Sequence, residues 1–166
     1  MVNTLKQRRI WIIGCPSAGK TTVGSLLSQL LSIPLIELDN LYWEGNWVRA
    51  KSTDFSLQVE NLTNQHSWIV TGDYDDSNKI LCQKVDTIIF LDVPYIVACI
   101  RLIKRTFLNI VTRKDLGHGN KESIKRLLGK DSIIIYLVKI YKKSRTKNLA
   151  SFNSIDELLA DLNEED

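Results

Sequence analysis

Apolar positions along this chain follow two alternating rhythms. Short, nearly continuous apolar runs recur at residues 10–13, 35–38, 68–70, 87–91 and, more weakly, 149–152. Runs of that length with little polar alternation are characteristic of strands buried on both faces. Between them the spacing becomes helical. Val23, Leu26, Leu27 and Leu30 follow i, i+3, i+4, i+7, while Phe55, Val59 and Leu62 form a second stripe. Ser154 and Glu157 make a capping box that opens a final helix. Strand and helix in alternation predict an α/β fold, with a parallel sheet covered by helices and ligands outside the carboxyl ends of the strands.

With 166 residues, 44% hydrophobic and 25% charged, the chain has enough material for one sizeable core and too little for two ordinary ones. A single domain over residues 1–166 is expected. No stretch approaches the roughly 18 apolar residues of a membrane helix, and the first nine residues lack the apolar run of a signal peptide, so a cytoplasmic protein is expected. Cys15, Cys82 and Cys99 are odd in number and have no CxxC spacing, which argues against a disulfide framework and a zinc site. His66 and His118 lack partner spacing and read as surface residues. Charge is unevenly spread. Residues 101–147 hold 14 Lys and Arg against three Asp and Glu, a net of +11, leaving −8 elsewhere in a chain of net charge +3. Such a segment suits a polyanion, either nucleotide phosphates or a nucleic-acid backbone, or else forms a solvated helix surface.

Gly14-Cys15-Pro16-Ser17-Ala18-Gly19-Lys20-Thr21 fits GxxxxGK[ST] and lies between the first apolar run and the first helical stripe, the context this motif requires. A loop that turns successive N–H groups toward phosphate oxygens needs glycine where a Cβ would block approach or where φ is positive. Lys20 then brings charge to the β- and γ-phosphates, Thr21 a hydroxyl to magnesium, and the following helix the positive end of its dipole. ATP with magnesium is the expected ligand.

Together with residues 14–22, ending at Thr22, the run Asp92-Val93-Pro94 and the following Arg101 and Arg105 resemble the adenylate-kinase-like P-loop kinases. That resemblance implies a nucleoside-monophosphate-kinase-like, five-stranded parallel sheet with a mobile lid, and implies that the two arginines contact nucleotide phosphates. Leu38-Asp39-Asn40-Leu41-Tyr42-Trp43, Gly45, Trp47 and the strand end Trp68-Ile69-Val70-Thr71-Gly72-Asp73-Tyr74 are similar to one branch of that superfamily, the DNA topology modulation proteins. Where such proteins carry an acidic residue before the glycine of the third strand, this sequence has Thr71. Asp73, two positions on, faces the same way along an extended strand end. It either replaces the missing magnesium contact or is an exposed turn acid beside Asp75 and Asp76.

Asp39, read as closing the second strand, is placed to accept an acceptor's proton or help hold magnesium, or alternatively to cap a turn. Tyr42, Trp43 and Trp47 either pack together or stack on a ring of the acceptor, and Arg49 is a possible anion clamp. Asp92 reads as a turn and helix-start residue rather than a Walker-B carboxylate. Arg101 and Arg105, four apart, share a helix face. Arg113 opens a glycine-containing lid over residues 112–122, which suits closure around a transferring phosphoryl group. Arg126 is a weaker candidate, and Lys142, Lys143 and Arg145 read as a solvated helix end. The expected function is an ATP-dependent phosphotransferase acting on a small molecule. The alternative is an ATP-binding regulatory protein that contacts nucleic acid, weakly, through its basic segment.

Overall fold

The computed structural model describes residues 8–123. Four strands, β1 (Arg9–Gly14), β2 (Leu35–Glu37), β3 (Trp68–Thr71) and β4 (Thr87–Leu91), form one parallel sheet in the order β2-β3-β1-β4. The fifth predicted strand, at 149–152, and the capping box at Ser154 and Glu157 lie outside the described residues. Five helices connect and follow the strands: α1 (Lys20–Leu31), α2 (Leu38–Tyr42), α3 (Ser52–Thr63), α4 (Asp75–Cys82) and α5 (Tyr95–Thr112), with a 3₁₀ turn at Gly45–Trp47. Among the described residues, no helix is long and apolar enough to cross a membrane.

The central strand β1 explains the layering. Successive side chains on a strand point to opposite faces, and here both faces are covered. Trp11 and Ile13 join Phe55, Val59, Trp68, Val70 and Leu81 under α3 and α4. Ile10 and Ile12 join Ile33 and Ile69 on the other face, with Val23, Leu27 and Leu31 of α1 packed against them. The contact stripe of α1 is therefore rotated from the predicted one, and Leu26 and Leu30 remain exposed. Gly24 causes the rotation. A Cβ there would lie 2.8 Å from Thr71 Cγ2 and 2.9 Å from Leu35 Cδ1, so only glycine lets α1 approach the sheet on that line.

Strand β2 ends one residue earlier than its apolar run, because fully buried Leu38 already opens α2. Asp39 thus sits in the first turn of a helix rather than at a strand end. The remaining buried cluster lies where α5 meets the phosphate loop, with Ala98 and Leu102 packed on Cys15 and Ala18. All four strands run the same way, so their carboxyl ends, the phosphate loop and the starts of α1, α2 and α4 gather along one edge.

Candidate active site

The loop after β1 has the geometry that its glycines predict. Gly14 has φ +148°, and a Cβ on it would meet the backbone oxygen of Leu91 at 2.8 Å, on the adjacent strand β4. Gly19, at φ +103°, has open space beside it; there the requirement is conformational rather than steric. Ser17 also takes a positive φ of 63°. The opening turn of α1 has neither a capping side chain nor an acidic residue of its own, which leaves its first N–H groups open to an anion. Ser17 Oγ is buried without a hydrogen-bond partner. Buried polar atoms are normally paired, and an orphaned hydroxyl beside an uncapped helix start fits a loop shaped for an anion.

Lys20 Nζ donates to the carbonyls of Gly14 at 2.7 Å and Cys15 at 3.1 Å, folded back over the loop. Burial lowers its pKa, and the field of Arg105 acts in the same direction, while Asp39, Cys15 and Asp73 favour its charged form. Asp39, Asp73 and Arg105 thus act on the charge of Lys20 from three other parts of the chain. Burial likewise pushes the Cys15 thiol up, against the opposing pull of Lys20. Arg101 Nη1 reaches the carbonyl of Ala18 at 3.4 Å, placing this arginine over the loop. Arg113 is not brought into that group. It ends α5 in a left-handed conformation, φ +49°, about 12 Å along the helix axis from Arg105. Arg126, Lys142, Lys143 and Arg145 lie outside the described residues.

Facing the loop is a carboxylate rim. Thr21 Oγ1 donates to Glu37 Oε2 at 3.1 Å, a pairing the sequence reading missed. No local spacing announces it, because it joins the end of β2 to the first turn of α1. Asp39 Oδ1 accepts a hydrogen bond from Tyr74 Oη at 2.6 Å, and Asp73 Oδ1 accepts one from Asn78 Nδ2 at 3.0 Å. Thr71 is buried, with its methyl against Gly24, so it serves the packing of α1. The carbonyl of Gly72 accepts the buried indole N–H of Trp11 at 2.7 Å. That bond ties the start of the Asp73–Tyr74 segment to the core. Asp92 is exposed before Pro94, the first turn of α5 having no side-chain cap.

The aromatic residues pack on one another. Tyr42 stacks on Tyr74 with centroids 4.1 Å apart and meets Phe55 and Trp43 edge-on. Trp43 in turn meets Trp47, and the Arg49 guanidinium lies 5.9 Å from the Tyr42 and Trp43 ring centres. Residues 118–121 dock beside this cluster. His118 Nε2 is 3.0 Å from the Asn40 carbonyl, and Asn120 bonds to both Glu44 and Trp47. His118 is exposed, as expected of it, but it has a partner.

No protein-family model matches the sequence, and no curated protein matches it. Solved structures do match in fold. The chain is similar to a shikimate kinase from Bacteroides thetaiotaomicron, with a TM-score of 0.55 and 18% identity over 84% of this chain and 80% of that one. It is also similar to a gluconokinase from Sinorhizobium meliloti 1021, with a TM-score of 0.50 and 17% identity over 80% and 74% of the two chains. A deoxyadenosine kinase from M. mycoides with products dCMP and dCDP bound matches at a TM-score of 0.50 and 16% identity, over 95% of this chain and 100% of that one. The fold is α/β and P-loop-kinase-like, and at such identities the likeness extends to the fold alone.

Proposed function

We propose that this chain is an ATP-dependent phosphotransferase whose acceptor is a small molecule with a free hydroxyl. The observation that carries this reading is the loop at residues 14–21, with Gly14 and Gly19 at positive φ, Lys20 folded over its carbonyls and Ser17 Oγ buried without a partner beside an uncapped helix start. Arg101 lies over this loop, and Asp39, Asp73 and Arg105 act on the charge of Lys20 there. Residues 14–22 would hold the triphosphate, with Lys20 leaving the Gly14 and Cys15 carbonyls for the β- and γ-oxygens. Thr21, Glu37 and Asp73 offer the hard oxygen donors that magnesium prefers. Bound there, the ion would neutralise phosphate charge.

In the transfer step the acceptor oxygen forms a bond to the γ-phosphorus as the bond to the β-phosphate bridging oxygen breaks. The acceptor's proton passes to Asp39, which Tyr74 holds in place. Arg101 and Arg105 supply positive charge to the phosphoryl oxygens, joined on closure by Arg113. ATP consumption should be measured against nucleotides, nucleosides and small alcohols, for wild type and Asp39→Asn. Acceptor-dependent ADP release that falls at least about a hundredfold in the variant is expected. ADP release that no compound stimulates would defeat the kinase reading. The nucleic-acid-binding regulator of the topology-modulation type, with little kinase activity, would then be favoured by the +11 segment at residues 101–147.

A further inference from the structure

Residues 116–121 and the loop after α2 are joined around one buried side chain, Asn120. Asn120 is 3% exposed and makes four hydrogen bonds. Two shape its own turn: its N–H donates to Gly117 O at 3.0 Å, and its carbonyl accepts from Leu116 N at 2.8 Å. The other two cross to the opposite segment. Oδ1 accepts the backbone N–H of Trp47 at 2.8 Å, and Nδ2 donates to the Glu44 carbonyl at 2.9 Å. The Trp47 indole adds a bond to Lys121 O at 3.3 Å, and His118 reaches Asn40 O.

The loop so gripped is not in a relaxed conformation. Asn46 and Trp47 both have φ of +58°, a region where a bulky side chain is disfavoured and persists only when its surroundings enforce it. At Trp47 the Asn120 carboxamide satisfies the backbone N–H from a buried position, while the indole is held by Lys121 O and an edge-on contact with Trp43. This same loop, closed by the Trp43–Arg49 bridge, carries Trp43 against Tyr42, and Tyr42 is stacked on the Tyr74 that holds Asp39. A continuous set of contacts thus runs from Asn120 to the candidate base, while the segment containing Asn120 begins at Arg113.

We propose that Asn120 is a positioning residue that makes docking of residues 114–121, the segment that follows Arg113, and shaping of the acceptor side a single event. Docking of residues 114–121 sets the conformation of residues 43–49, and through Tyr42 and Tyr74 the orientation of Asp39. The naming of the acceptor side rests on the phosphotransferase reading; the mechanical coupling does not.

Amide hydrogen exchange of the full chain, with and without magnesium ATP, tests the coupling. In wild type, nucleotide should slow exchange at residues 14–22, 114–121 and 43–49 together. In Asn120→Ala the response at 14–22 should persist, while residues 43–49 exchange at least about tenfold faster without nucleotide and cease to respond to it. Asn120→Asp keeps the acceptor for Trp47 and should restore part of that response. It also carries the test should the alanine variant not fold. A response at 43–49 that is the same in wild type and both variants would overturn the proposal. So would exchange that rises equally across β1 and β3, which marks general loosening. If ATP leaves 14–22 unchanged in wild type, the phosphate-loop reading fails by itself. The nucleotide-free comparison at 43–49 then still decides the coupling: faster exchange supports it, and unchanged exchange overturns it.

Discussion

Lys20 is held in a loop where burial works against its charge, and that has a measurable pH signature. Its folded pKa lies below the ordinary lysine value, so the unfolded chain binds this proton more tightly. Lys20 therefore subtracts from stability at neutral pH, and the penalty is relieved as pH rises through the folded value. Anion binding has the opposite demand, because phosphates favour the charged form. ATP affinity should fall as pH rises through that lowered value, with proton uptake on binding, and Lys20→Arg should flatten the slope because guanidinium stays protonated. Calorimetry in buffers of different ionisation enthalpy measures the uptake. Lys20→Ala should weaken ATP by about tenfold to a hundredfold and move the ligand-free melting temperature by less than about 2 °C. The two loop glycines separate sterics from conformation. Gly14→Ala drives a Cβ onto Leu91 O and should destabilise by about 2–4 kcal/mol in urea titration. Gly19→Ala meets no atom within 4 Å, so it should lose only about 1–2 kcal/mol through strain, while its new methyl occupies loop space and weakens ATP.

At the scale of elements, α5 decides how positive charge reaches the loop. Ala98 and Leu102 seat the helix on Cys15 and Ala18, which puts Arg101 on the loop carbonyl and Arg105 within the field of Lys20. If these arginines act on the transferring group, Arg101→Ala, Arg105→Ala and Arg113→Ala should each lower turnover more than ATP affinity. Losses for Arg101 and Arg105 should approach about a thousandfold. A screened surface arginine would contribute only about 0–1 kcal/mol to stability and nothing to turnover. Wild-type turnover in all three variants would remove the arginines from the mechanism. The spacing of Arg101 and Arg105 on one helix face was legible in sequence, because helical periodicity is local. The seating of that face was not. It depends on where the β4–α5 connection delivers the helix relative to a loop more than eighty residues earlier.

For the whole molecule, the question left by charge is whether residues 101–147 meet a nucleic acid. A duplex-binding surface would show affinity falling with salt by a log–log slope near −0.9 per phosphate contacted. Fluorescence anisotropy with labelled duplex DNA is expected to show weak binding that vanishes near physiological salt. Tight binding persisting there would transfer the basic segment from phosphoryl transfer to DNA. By itself the sequence determined the strand–helix alternation, the four described strands to within a residue or two at their ends, and the phosphate loop, since each is written in local spacing and in residues needing particular φ values. Tertiary structure alone decided that Glu37 faces Thr21, that α1 turns its Gly24 side rather than Leu26 and Leu30 to the sheet, and that Asn120 joins the turn at 117–120 to Trp47. These contacts link residues 16 to 73 positions apart, or turn on the fit of one backbone against a sheet. No periodicity encodes them, because they arise only when independently formed elements pack and their side chains find the partners that burial requires.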